Sequence, residues 1–157
     1  MELPPNLAAA IEAAAGALVG VLDSAGSRHS VSVPPTQLRV LSILSARPGT
    51  NVNRLADLLD VVPSSASRLC DRLEATGLLR RVADPRDRRE VHLVVTPAAE
   101  TLLREITERR QRAVQAVLDQ MSHRSQHELL LALLAFGQAA SLVDAASGPP
   151  ERSARTA

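Results

Sequence analysis

Apolar residues recur at helical spacing along most of this chain and turn strand-like in one place, after Gly77. A first helix opens at Pro4, Pro5 and Asn6 and carries Leu7, Ile11, Ala14, Leu18, Val21 and Leu22 before Ser24 and Gly26 end it. After a loop to Val33, a second helix runs from about Pro35 to Ala46, with Leu38, Leu41 and Leu44 as its core side, until Pro48 and Gly49 break it. Asn51 caps a third helix whose Val52, Leu55, Ala56 and Leu59 face inward. A fourth starts at Pro63, where a fixed φ and a missing N–H suit the first helical position, and stops at Gly77.

The fourth helix divides sharply. Placing its residues about 100° apart gathers Ala66, Leu69, Cys70 and Leu73 on one arc. Ser64, Ser65, Ser67, Arg68, Asp71 and Arg72 fall on the other, which holds no apolar residue. A free face of small hydroxyls and guanidiniums suits a helix that enters a major groove and bonds base edges and phosphates. A hairpin follows: Leu78 to Ala83 leads to a tip of Asp84 to Arg89, and Glu90 to Val95 returns with β-branched content. In the tip, Asp84 and Asp87 each precede an arginine by two residues, so a carboxylate can orient Arg86 or Arg89, with Arg88 between them. A pre-aimed arginine is what a narrow, negative minor groove attracts. Helix, tight turn, polar-faced helix and arginine-tipped hairpin make a winged helix-turn-helix.

Beyond the hairpin, Thr96 and Pro97 open a long helix to about Met121, striped with Leu102, Leu103, Ile106, Ala113, Val117 and Met121. Ser125 and Glu128 form a capping-box pair for a last helix through Val143, which is apolar almost all round. The first, fifth and sixth helices have more apolar surface than one small core can cover. Packing them against the same helices of a second subunit gives a homodimer whose recognition helices lie roughly 34 Å apart, the spacing of successive major grooves. The organisation expected is therefore a single domain over residues 1–146, with a DNA-binding lobe at about 34–96, dimerisation helices at about 5–24 and 97–145, and a disordered tail at 147–157.

Three segments carry a resemblance: PPTQLRVLSIL (Pro34 to Leu44), NRLADLLDVVPSSASRLCDRLEATGLLRR (Asn53 to Arg81) and DPRDRREVHLVVT (Asp84 to Thr96). In this order, with a long helix after them, they resemble the MarR family (multiple antibiotic resistance regulators) of bacterial transcription factors, over nearly the whole chain. The resemblance implies a mainly helical fold with a small antiparallel β-wing, and a homodimer that binds double-stranded DNA at a pseudo-palindromic operator. It also implies repression that a small-molecule effector releases. Two positions depart from the pattern: Val62 stands where a hydroxyl N-cap is common, and Ala99 where a glycine often follows the wing.

The 157 residues carry a net charge of only +1 and are 1% aromatic. Charge is unevenly placed, however. Ten arginines against seven acids between Thr36 and Thr96 give the proposed DNA module +3 and leave −2 elsewhere. Lysine is absent, so every basic contact would be a guanidinium, able to grip phosphate or guanine with two prongs. On this reading Ser64, Ser65 and Arg68 read bases and Ser67 and Arg72 hold phosphates. Arg89, oriented by Asp87, enters the minor groove, with Arg86 as second choice. The competing reading is a winged-helix module that uses its arginines to bind acidic proteins.

Signs of chemistry are few. His123 and His127, four apart near the start of the last helix, read as exposed residues rather than metal ligands, and His92 as a solvated strand residue. No phosphate loop, nucleophile elbow or paired-carboxylate motif occurs, so neither enzyme activity nor a cofactor is expected. Cys70, the single cysteine, shares an arc with Ala66 and Leu73 and should be packed as a small hydrophobe with a raised pKa. The N-terminus lacks the pattern of a signal peptide and no apolar run approaches membrane length on this reading, so a cytoplasmic protein without a membrane partner is expected.

Overall fold

The structure, a computed structural model, describes residues 4–26, 33–83 and 91–146. Among the described residues six helices and one hairpin follow in the order α1 (Leu7–Gly26), α2 (Pro35–Ala46), α3 (Val52–Leu59), α4 (Pro63–Ala75), β1 (Leu79–Ala83), β2 (Val91–Val95), α5 (Pro97–Leu118) and α6 (His123–Ala146). The chain divides into two compact units, residues 1–114 and 115–157, with the boundary inside α5.

Local chemistry sets most of the ends. The Asn6 carboxamide oxygen accepts the Ala9 N–H at 3.1 Å, and that of Asn51 accepts the Arg54 N–H at 2.9 Å. At the end of α4, Gly77 takes φ +72°. Its N–H then donates to Glu74 O at 2.9 Å and the Leu78 N–H to Leu73 O at 2.9 Å, a Schellman close that leads the chain straight into β1. Thr96 joins the two ends of this segment: its hydroxyl donates to Gly77 O at 2.8 Å and accepts the Ala99 N–H at 3.3 Å.

In the first unit the core is aliphatic. Val40 and Leu41 of α2, Leu55 of α3, Cys70 and Leu73 of α4, Leu79 of β1 and Leu93 of β2 are essentially inaccessible. Burying each leucine is worth about 1.5–3 kcal/mol. Strands β1 and β2 pair antiparallel with Leu79 opposite Val95 and Arg81 opposite Leu93. Thr50 ties the α2–α3 turn to this hairpin, because its carbonyl accepts the Leu93 N–H at 2.9 Å. Helices α1 and α5 meet where Arg110 Nε donates to Leu22 O at 3.3 Å. Ala99, the residue in place of a glycine, is buried in the core.

The second unit corrects two expectations. Helix α5 ends at Leu118 rather than about Met121. The chain tightens there into three-residue turns, Gln120 N to Val117 O and Met121 N to Leu118 O, and Gln126 Nε2 covers Leu118 O at 2.8 Å. Ser122, not Ser125, caps α6: its hydroxyl accepts the Ser125 N–H at 3.2 Å, while Glu128 is taken by Arg124 Nε at 2.8 Å. Starting the helix earlier gains backbone bonds and leaves the acid free to pair one turn back.

A third correction concerns apolar length. Leu7–Gly26 and His123–Val143 are both long and apolar enough to cross a bilayer, with their apolar windows unburied. The cause is composition: alanines and glycines fill the intervals between leucines and valines, and no residue between Glu128 and Val143 is ionisable.

Candidate nucleic-acid interface

Helix α4 is held on two sides and open on a third. Before it, Asp60 adopts a left-handed conformation at φ 53°, and the Val61 N–H returns to Ala56 O at 3.0 Å, which makes the α3–α4 turn tight. Val62 provides no side-chain cap and Pro63 no N–H, while the Ser65 and Ala66 N–H groups both donate to Val62 O, at 2.9 and 3.2 Å, so of the first turn of α4 only the Ser64 N–H is left for a partner outside the helix. Ala66, Cys70 and Leu73 face the core and Leu69 lies half-buried against it. Ser64, Arg68 and Arg72, on the opposite side, are exposed, and their side chains have no hydrogen bond or ion pair among the described residues.

One flank of α4 is clamped to the wing. Ser67, Asp71 and Glu74 lie along that flank at successive turns, and Arg81 of β1 reaches across them. Its Nη2 lies 2.7 Å from Asp71 Oδ1 and 3.5 Å from both the carbonyl and hydroxyl oxygens of Ser67. Its Nη1 donates to Glu74 Oε2, and its backbone N–H to Glu74 Oε1 at 3.3 Å. Burial by itself would lower the Arg81 pKa, but the bonds to Asp71 and Glu74 outweigh it and hold the guanidinium above its ordinary range.

The other flank borders a cleft. Pro35, Thr36 and Arg39 of α2, Leu59 of α3, Val61 of the turn and Leu69 of α4 line a space of about 290 Å³. At the base of the wing, His92 is half-buried and its Nδ1 donates to Gly49 O at 2.8 Å, so the ring is anchored to the turn after α2 rather than merely solvated. Cys70 is fully buried, and burial pushes its thiol pKa up against the opposing pull of the Arg81 charge.

Of the residues expected to touch DNA, Ser64, Arg68 and Arg72 come together on the open face, with half-buried Ser65 at its edge. Ser67 is instead turned toward Arg81. Asp84, Arg86, Asp87, Arg88 and Arg89 of the tip lie outside the described residues. The Arg81 cluster is the feature that the sequence reading missed. Acids at i+4 and i+7 from Ser67, ahead of an arginine in the next strand, are its trace in the sequence. His123 and His127 are exposed, and the described residues contain no group of three or more potential metal ligands.

Comparison with known proteins matches residues 31–90, from before α2 to the end of the tip, to the model of the MarR family. The crystal structure of RV1404 from Mycobacterium tuberculosis is 31% identical with a TM-score of 0.81, over 88% of this chain and 96% of that one. The chain belongs to the MarR family. This family consists of winged-helix transcription regulators rather than enzymes. A MarR family protein from Bacillus stearothermophilus shares the fold, with a TM-score of 0.73 at 23% identity over 86% of this chain and 93% of its own. The HTH-type transcriptional repressor MdtR of Bacillus subtilis is 31% identical over 80 residues, 51% of this chain. The match spans about half of that repressor, 52% of its length. Within the MarR frame, α2 to β1 lie in the stretch that the family model covers, β2 follows directly after it, and α1, α5 and α6 are the flanking helices in sequence.

Proposed function

We propose that this protein is a homodimeric repressor that binds a pseudo-palindromic operator through α4 in the major groove and the wing in the adjacent minor groove. The observation that carries the reading is the open face of α4, where Ser64, Arg68 and Arg72 stand unpaired on a helix clamped at a defined angle to the hairpin. Ser64, Ser65 and Arg68 are the base readers, Arg72 holds phosphate, and Arg89, oriented by Asp87, reaches the minor groove. Arg86, oriented by Asp84, is the second choice for that role, and Arg88 adds charge beside them. DNA binding is supported by a mutant of S. aureus MepR solved bound to an oligodeoxyribonucleotide, a structure with a TM-score of 0.64 at 18% identity.

The dimer is built from the unburied helices. Leu7, Ile11 and Val19 of α1 and Leu130, Leu133, Leu134 and Phe136 of α6 are exposed, and a second subunit covers them without recourse to a membrane. Such a protein works in the cytoplasm, where its DNA is. A small-molecule effector releases it, and the cleft against Leu69 is where a ligand would touch α2 and α4 at once. S. aureus MepR has been solved bound to ethidium bromide.

Selection from a random duplex library by the intact protein tests this reading. Enrichment of an inverted repeat with half-sites about one helical turn apart is the expected result. No enrichment at low salt would refute it.

A further inference from the structure

A recognition helix that carries two carboxylates has an electrostatic problem. Duplex DNA presents one phosphate charge for roughly every 1.7 Å of its axis, and an uncompensated acid beside that array is repelled. Asp71 lies between the open face of α4 and its clamped flank and remains more than half exposed. It also follows Arg68 by three residues, the spacing at which helical side chains pair. Left alone, Asp71 would both repel the backbone and draw the Arg68 guanidinium away from a base edge. In the structure Asp71 is bonded to Arg81 at 2.7 Å instead of to Arg68, and Arg68 has no partner among the described residues. Glu74, one turn further, is held by the same guanidinium and by the Arg81 backbone N–H.

We propose that Arg81 is the internal counterion of the recognition helix, a positioning residue that neutralises Asp71 and Glu74 and so keeps Arg68 free for DNA. The inference rests on the DNA-binding reading above and adds to it a role for a residue that does not itself touch the duplex. A wing that supplied only a mechanical brace would need no cation here; an apolar side chain packed on α4 would serve. The carboxylates make the difference, and removing them should make the arginine dispensable.

The test uses the full chain and a duplex of about 30 base pairs selected by the wild-type protein, wide enough for two half-sites. Affinity is read by fluorescence anisotropy and folding by thermal melting. Arg81→Gln is expected to weaken binding about tenfold and to flatten the preference at the base position that Arg68→Ala also flattens. The triple variant R81Q/D71N/E74Q is expected to return to within about threefold of wild type, since repulsion and capture vanish together. Asp71→Asn alone should bind as tightly as wild type or more tightly, an arm that survives if Arg81→Gln fails to fold. Arg81→Gln binding like wild type would overturn the proposal. So would a triple variant that melts normally yet binds as weakly as Arg81→Gln, or a weakened Asp71→Asn. Failure of the wild type to select any duplex would instead remove the DNA-binding reading beneath it.

Discussion

Arg68→Ala separates reading from holding. Its guanidinium is exposed at the centre of the open face of α4 and has no partner among the described residues, so truncation removes nothing that stabilises the fold. Melting should stay within about 0.5 kcal/mol of wild type, as for other surface positions. A bidentate contact to a base is worth roughly 1–3 kcal/mol, and a dimer on a palindrome makes it twice, so affinity should fall by about 2–6 kcal/mol. That is a loss of about thirtyfold at the least. Anisotropy titrations at one fixed salt concentration, on the selected duplex and on variants changed one base pair at a time, give the magnitude and its position. The preference should relax at one symmetric pair of positions and persist elsewhere. Arg89→Ala, by contrast, should weaken binding to many sequences and lower the salt slope. A uniform loss for Arg68→Ala across all duplexes, with a shallower salt slope, would make Arg68 a phosphate holder and refute its assignment.

Three further outcomes follow from other parts of the molecule. Leu133→Glu, placed in the exposed apolar face of α6, should yield monomers or aggregates in sedimentation and abolish operator binding; a stable DNA-competent monomer of the intact protein would contradict the dimer. Gly77→Ala should cost about 1–2 kcal/mol in denaturant unfolding, because the position holds φ +72° with open space around a Cβ, so the penalty is that of the backbone alone. Cys70 should react slowly with thiol reagents in the native protein and leave DNA binding near normal after brief peroxide. Its raised pKa means that the folded state keeps the proton longer than the unfolded one. The stability linked to it is therefore complete below the ordinary thiol value of 9.0 and is lost as pH rises past that value, an upward-pH loss that Cys70→Ala should abolish in urea titrations.

How far the sequence carried the structure depends on which forces set each feature. The bounds of α2 and the start of α4 were legible because Pro35, Pro48 and Pro63 act on their own backbone. So was the inward arc of α4, since Ala66, Cys70 and Leu73 obey a period that needs no tertiary knowledge. The end of α5 and the cap of α6 were misplaced, because Gln126 reaches back eight residues to Leu118 and decides where the chain turns. Arg81 was invisible for a related reason. Its partners are fixed by the register of β1 against α4, which the Schellman turn at Gly77 sets and no periodicity encodes. Asp71 was accordingly placed on the free face, when half of its work is to bind the wing.

The most direct test of the account is the salt dependence of operator affinity for the intact protein. If α4 and the wing grip the backbone through guanidiniums, log K should fall linearly with log salt at about −0.9 per phosphate engaged, giving a slope of about −5 for some six contacts in the dimer. A slope near zero would mean that the arginines serve an acidic protein partner, and the winged helix would then be an interaction module and not an operator-binding repressor.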